Sequence, residues 1–106
     1  MADVSVIGST SRVHGRITGP VDLEIQGFVE GEVAVDGDVV VEARALVAAS
    51  IQARSIVVRG AIRGDLTVEE AVILEDGARV VGDVRAQRVV IAPGAFLRGH
   101  VQTAGV

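Results

Sequence analysis

Aliphatic and polar positions alternate along this chain in a five-residue phrase, with an aliphatic residue at each end and a small residue at the centre. The six phrases are centred on Gly15, Gly31, Ala49, Gly64, Gly82 and Gly99. Their spacing of 16, 18, 15, 18 and 17 residues predicts a solenoid. A repeat of this length forms one coil and buries its apolar face only against the neighbouring coils.

The alternation also predicts which way the side chains point. With a period of two, the aliphatic residues and the central small residue point into the coil, and the polar residues between them point outward. We therefore expect the coil glycines to point into an interior that is too crowded for a larger side chain. These glycines are Gly15, Gly31, Gly64, Gly82 and Gly99.

A second aliphatic strand follows each of the first five phrases. These strands are Val21–Leu23, Val39–Val41, Ile56–Val58, Val72–Leu74 and Val89–Ile91. Turn residues separate the strands from the next phrase, as in Glu75–Ala78 and Ala92–Ala95, and the shorter turns at Gly27 and Gly60 explain the shorter coils.

The sequence therefore predicts an all-β fold, a single-domain parallel β-helix of about six coils with about three short strands each. We expect residues 1–12 to form a short N-terminal segment with a partial strand. Residues 13–103 are predicted to form the β-helix core, and residues 104–106 a C-terminal tail. With coils stacked at ~4.8 Å, the core is a rod of roughly 29 Å.

Composition and charge exclude several classes of function. The chain has no lysine, which excludes a P-loop because that motif needs its lysine on the phosphates. It has no cysteine, so disulfides and thiolate metal sites are excluded and a reducing cytoplasm is compatible. A net charge of −4 disfavours nucleic acid as a partner. We find no signal peptide and no apolar run of membrane-spanning length.

Candidate catalytic and metal-ligating residues are few. His14 and His100 lie in the first and last predicted coils, about 24 Å apart at the strand spacing above, which is too far for a shared site within one chain. Arg63-Gly64-Asp65 spells an adhesion tripeptide but is also one of the six phrases. The acidic pairs Glu69–Glu70 and Asp36–Asp38 are expected in solvated turns. We therefore expect no catalytic residue, no metal site and no cofactor.

The repeated phrase, the opening Val6-Ile7-Gly8 and the closing segment Gly94–Gly99 resemble the bactofilins, a family of bacterial cytoskeletal proteins. The resemblance extends from about Val4 to Val101. It implies a right-handed β-helix that polymerises end to end into non-polar filaments without nucleotide. It also implies a cytoplasmic scaffold, at the cell periphery or the poles, that organises cell shape, cell-wall proteins or polarity proteins.

The chain departs from the family pattern in two ways. Many bactofilins carry a membrane-targeting peptide and flexible tails, whereas this sequence shows no evident membrane anchor. The family usually places an aromatic residue before the last glycine. Here Leu97 occupies that position and Phe96 precedes it, so we expect the aromatic ring to face outward.

Two surfaces are candidates for assembly. Natural solenoids cover their terminal coils with polar caps, and none is evident here, so we expect both ends to stack on other copies. The residues expected at these ends are Val4, Val6, Ile7, Phe96, Leu97 and Val101. The second surface is an outward apolar stripe over four successive coils, following Asp22 in the first: Val40, Val57, Ile73 and Val90.

The stripe is open to two interpretations. It is either a surface for lateral pairing, partner docking or membrane contact, or a flat sheet face filled with β-branched residues. Two other functions also stay open. One is a non-polymerising adaptor that binds a partner through the stripe. The other is a hexapeptide-type acyltransferase-like trimer with His100 at subunit contacts, which the variable coil length fits poorly. A carbohydrate-active β-helix fits less well, since the chain has no Trp or Tyr.

Overall fold

A computed structural model describes residues 4–8, 10–20 and 22–103, in which every regular element is a β-strand. The strands are β1 Val4–Ile7, β2 Arg12–Gly19, β3 Asp22–Ile25, β4 Phe28–Val35, β5 Asp38–Val41, β6 Leu46–Ala53, β7 Ser55–Val58, β8 Ala61–Arg63, β9 Leu66–Val68, β10 Ala71–Leu74, β11 Arg79–Val81, β12 Val84–Ala86, β13 Arg88–Ile91, β14 Phe96–Arg98 and β15 Val101–Thr103. The segment 104–106, predicted to be a C-terminal tail, lies outside the described residues.

The strands wind into six coils, each of which passes through three faces. Coils 1 to 3 are formed by β1–β2, β3–β4 and β5–β6, and coils 4 to 6 by β7–β9, β10–β12 and β13–β15. Face 1 is the six-stranded parallel sheet β1-β3-β5-β7-β10-β13. Face 2 contains the first halves of β2, β4 and β6 followed by β8, β11 and β14, and face 3 contains their second halves followed by β9, β12 and β15. The predicted parallel β-helix is confirmed, and its right-handed sense stays a prediction.

The solenoid begins earlier than the sequence suggests. β1 pairs with β3 along its whole length, with Val4 beside Asp22 and Ile7 beside Ile25. Each coil therefore starts on face 1, and not at the glycine phrase. The boundary at residue 13 is corrected accordingly, because the predicted N-terminal segment contains the first full strand of the rod.

The interior is aliphatic. The inward residues of coils 2 to 5 stack in columns, such as Val29, Val47, Ile62 and Val80 on face 2, and these are almost fully buried. Among the described residues, no polar or charged side chain is buried. β-Branched side chains suit this interior, because they are stiff and pack well on a pleated surface.

The coil glycines lie at the corner between faces 2 and 3, where they are exposed or half-buried, while the aliphatic residues of each phrase point inward. Five of them have φ angles between 123° and 140°, a range that L side chains rarely adopt. They are Gly15, Gly31, Gly64, Gly82 and Gly99. The predicted crowding of the coil interior is therefore not the reason for these glycines. Only Ala49, which lacks a positive φ, is buried as predicted.

The residues of this column are small because one coil stacks closely on the next. A Cβ on Gly82 would collide with the carbonyl oxygen of Gly64 in the preceding coil, and a Cβ on Gly31 would collide with that of Gly15. The same close contact joins Gly99 to Gly82. At this corner the backbones of successive coils touch directly, so a side chain would force the coils apart.

The turns between faces 1 and 2 have a long form in coils 1, 3, 5 and 6 and a short form in coils 2 and 4. The long turns are closed by a hydrogen bond from the fourth residue to the carbonyl of the first, at Gly8–Ser11, Glu42–Ala45, Glu75–Ala78 and Ala92–Ala95. The predicted turns at 75–78 and 92–95 are confirmed. Gly27 and Gly60 form the short turns, and each fits against the backbone carbonyls of the long turn in the preceding coil, where a side chain would collide.

We expect Gly82→Ala to destabilise the fold by about 2 to 4 kcal/mol, because it combines an unfavourable φ with overpacking against the backbone. Urea unfolding followed by circular dichroism measures the change. Gly8→Ala is the control, since Gly8 has no positive φ and an added Cβ would approach only the Ser11 hydroxyl, at 3.8 Å. Equal losses in the two variants would contradict the stacking explanation.

Candidate assembly surfaces

The C-terminal end of the rod exposes an apolar cross-section. Ile91 and Val101 of coil 6 are 50% and 41% exposed, whereas their register partners in coil 5, Leu74 and Val84, are 0% and 1% exposed. Both pairs occupy inward positions, and the difference arises because coil 6 is the last coil of the described residues. Leu97 also packs on the core at this end and is only half-buried.

The N-terminal end is open in the same way but to a smaller extent. Val13 and Ile17 point inward and are half-buried, while their partners in coil 2, Val29 and Val33, are 0% and 1% exposed. Ile7, on face 1 of coil 1, is nearly covered. Both ends therefore present aliphatic side chains beside an unpaired strand edge.

The structure divides the predicted end residues into two groups. Ile7, Leu97 and Val101 occupy inward positions in the terminal coils, as an end-to-end contact requires. Val6 and Phe96 are 55% and 52% exposed at outward positions, so they belong to the sides of the rod, and the expected outward orientation of Phe96 agrees with this. Val4 is placed by its backbone pairing in β1.

Sequence reasoning missed three of the residues that form the open ends: Val13, Ile17 and Ile91. Ile91 was missed because the coil was assumed to start at the glycine phrase, which assigned Val89–Ile91 to the coil before the last. The spacing between the aliphatic segments Val72–Leu74 and Val89–Ile91 could have placed Ile91 in the last coil, since β13 pairs with β10 along its whole length.

The apolar stripe is a continuous column on the outside of face 1. Val40, Val57, Ile73 and Val90 are successive register partners, the first three half-buried and Val90 46% exposed. The residue beside Val40 in coil 2 is Glu24, and not Asp22 as the sequence suggested. The correction follows from the register, in which Asp22 lies beside Val4.

Charged side chains at the corners form ion pairs along the rod axis. Arg59 lies between two glutamates of adjacent coils, with its Nε 2.8 Å from the Glu75 carboxylate and its Nη1 3.6 Å from that of Glu42. The hydrogen bond to Glu75, followed by the charges of both glutamates, raises the pKa of Arg59. Arg54 lies between Asp36 and Glu70 in the same way. These pairs are exposed, so each contributes little alone but favours the observed register.

The side chains that could bind a metal ion or transfer a proton lie apart from one another. The Nδ1 of His14 is 3.9 Å from the Glu30 carboxylate in coil 2, whereas the backbone N–H of His100 in coil 6 donates to Asp83 at 3.4 Å. Within the described ranges, no group of three or more histidine or acidic side chains is arranged to hold a metal ion. In the same part of the chain, no helix could span a membrane.

The fold and its ends define a class of protein, a parallel β-solenoid whose two terminal coils expose their apolar interior and their strand edges. Comparison with known proteins agrees with that class. Residues 5–102 match the family model described as "Bactofilin: Polymer-forming cytoskeletal". The chain therefore belongs to the bactofilin family. Because that description is of a structural class, the acyltransferase alternative loses its support.

Relatives of known identity support the assignment. The chain is 38% identical to bactofilin BacP of Myxococcus xanthus over 98% of its own length, and 37% identical to BacO of the same organism over 51%. It spans 43% of the length of each of these relatives. It also matches the structure of Thermus thermophilus bactofilin in double helical filaments, with a TM-score of 0.88 at 29% identity, covering 94% of this chain and 99% of that one.

Proposed function

We propose that this chain polymerises end to end, without nucleotide, into non-polar filaments that act as a cytoskeletal scaffold. The observation that carries the proposal is the contrast in burial between coil 6 and coil 5 at identical register positions. A second copy stacked end to end on coil 6 would cover the aliphatic side chains of Ile91 and Val101. The same argument applies to Val13 and Ile17 at the other end.

The forces available at such a joint are those that already join the coils. Burial of an exposed aliphatic side chain contributes up to ~1.5 to 3 kcal/mol, and each strand hydrogen bond about 1 kcal/mol net. β13, β14 and β15 present four, three and three residues at the C-terminal edge. Together these terms are large enough to offset an association cost of roughly 4 to 15 kcal/mol.

The cellular role that we propose follows from the family. A filament of this kind offers a long repeating surface in the cytoplasm, at the cell periphery or the poles, on which cell-wall or polarity proteins could be organised. The Thermus relative forms filaments described as double helical, so we also propose that single filaments of this chain associate in pairs. Negative-stain electron microscopy of the purified chain without nucleotide tests assembly directly, and discrete particles at all salt concentrations would contradict it.

Val101→Asp is expected to block the C-terminal joint. Covering an unpaired carboxylate costs at least about 3 kcal/mol, which raises the critical concentration for assembly about 100-fold. Sedimentation over a range of protein concentrations measures this value.

Val81→Asp is the matched control for that experiment. Val81 is exposed to the same extent as Val101, 41%, but it lies at an outward position on face 2. Because both side chains are already in solvent, neither change should alter the circular dichroism of the monomer. Equal assembly of the Val101→Asp and Val81→Asp proteins would contradict an end-to-end joint at coil 6.

Gly15→Ala is expected to block the N-terminal joint. In each later coil a Cβ at the equivalent glycine would point at the preceding coil, as for Gly31 and Gly82. Gly15 lies in the first coil of the described residues, and an added Cβ there meets nothing within 4 Å. The methyl group would therefore project from the end of the rod into the joint, at a moderate cost to the monomer from its positive φ.

The two end variants also test the non-polar arrangement. If like ends meet, Gly15→Ala and Val101→Asp should each convert filaments into dimers, and the double variant should be monomeric. Light scattering after size exclusion distinguishes these states. Monomers from either single variant would contradict the non-polar arrangement and would indicate that unlike ends meet.

A further inference from the structure

The outer surface of face 1 has an unequal distribution of charge along the rod. From coil 2 to coil 6 its outward side chains form two columns, and in coil 1 the exposed Val6 lies beside Glu24 of the second column. One column is Asp22, Asp38, Ser55, Ala71 and Arg88, and the other is Glu24, Val40, Val57, Ile73 and Val90. Three carboxylates therefore lie towards the N-terminal end, an arginine lies at the C-terminal end, and small or aliphatic side chains lie between them.

The arginine and one of the carboxylates lack a charged partner on this face. Arg54 and Arg59, on the flanking corners, each pair with two acidic residues, but Arg88 forms no ion pair within the described residues. Glu24 adjoins the apolar stripe at Val40 and is half-buried, and among the described residues its side chain accepts one hydrogen bond, from the Gln26 amide at 3.0 Å. A carboxylate in this position needs a positively charged partner when the surface is covered.

We propose that face 1 is the lateral interface between two copies of this chain in paired filaments, and that the two copies lie antiparallel. In this orientation the Arg88 of each copy faces the acidic end of the other, near Glu24. The central residues Val40, Val57 and Ile73 then pack against their counterparts, as in an isologous interface. This inference rests on the end-to-end assembly proposed above.

The charge distribution decides between the two possible orientations. In a parallel, in-register pair, Arg88 would lie against Arg88 and Glu24 against Glu24, so like charges would meet at both ends of the interface. Such contacts are strongly unfavourable when they are desolvated. The antiparallel orientation replaces both repulsions with attractions and leaves the apolar contact at the centre unchanged.

The size of face 1 explains why pairing should require filaments. Four-residue strands in six coils form a surface of roughly 13 by 29 Å, so one pair of subunits buries about 800 Å² in total. Stable protein interfaces usually bury more than about 1,200 Å², so single subunits should not pair. Polymerisation repeats the lateral contact in every subunit along the filament, and the sum of these contacts holds two filaments together strongly.

A charge exchange tests the interface. Arg88→Glu and Glu24→Arg should each convert paired filaments into single filaments. In electron micrographs the total length of paired filament should fall at least tenfold. The variant with both changes should restore the pairs, because each copy again presents complementary charges to the other. Arg98→Glu is the matched control on face 2 of coil 6 and should leave pairing unchanged.

Cross-linking tests the contact at the centre of the face. The chain has no cysteine, so Val57→Cys introduces a single thiol. Across any end-to-end joint, two copies of this thiol lie about 24 Å or more apart at the coil spacing, beyond a short bis-maleimide. Covalent dimers in assembled Val57→Cys filaments therefore report lateral contact alone. Thr67→Cys, on face 3 of the same coil, should give none.

The possible outcomes separate this inference from the proposed function. Single-stranded filaments in the wild type, or no cross-link through Val57→Cys, would overturn the lateral interface while end-to-end assembly stands. Loss of pairing in both single charge variants without recovery in the double variant would overturn the antiparallel orientation. Single wild-type filaments that bind phosphatidylglycerol vesicles, and lose binding in Val57→Asp, would assign the face to a lipid surface instead. Absence of all filaments would overturn the proposed function itself.

Discussion

The structure depends on a hydrogen-bond ladder that runs along the axis of the rod and has no natural end. Every strand pairs in parallel with the equivalent strand one coil away, so each coil satisfies its backbone groups only through its neighbours. A closed barrel would remove this difficulty by joining its edges, but a solenoid keeps one free edge at each end. The same interaction that builds the fold therefore leaves an unpaired strand edge on the first and last coils of the described residues.

Other features of the molecule serve this axial repeat. The corner glycines allow the backbones of successive coils to touch, and Gly27 and Gly60 fit against the long turns of the coils before them. Ion pairs such as Arg59 with Glu42 and Glu75 join equivalent positions of adjacent coils. The proposed joint between subunits would draw on the same forces as the contact between coils, namely burial of aliphatic side chains and strand hydrogen bonds.

Part of this architecture could be predicted from the residues, and part could not. The repeat, its period and the alternation of aliphatic residues were sufficient for the parallel β-helix, its six coils and its long turns. The role of the glycines was predicted wrongly, because a period of two places Gly82 on the inside of a straight strand. The chain instead bends at that corner with φ near 140°, and the restriction comes from the neighbouring coil. The start of the coil was also misplaced, because a repeat has no intrinsic first residue.

The sequence by itself determined the period of the solenoid and its aliphatic interior, since these depend on local patterns. The tertiary structure decided which residues become neighbours between coils. Only the register shows that Glu24, and not Asp22, adjoins Val40, and that Ile91, itself half exposed, covers Leu74. The physical reason is that coil lengths vary between 15 and 18 residues. The alignment of one coil on the next is therefore set by turn geometry and backbone contact, which a one-dimensional pattern does not contain.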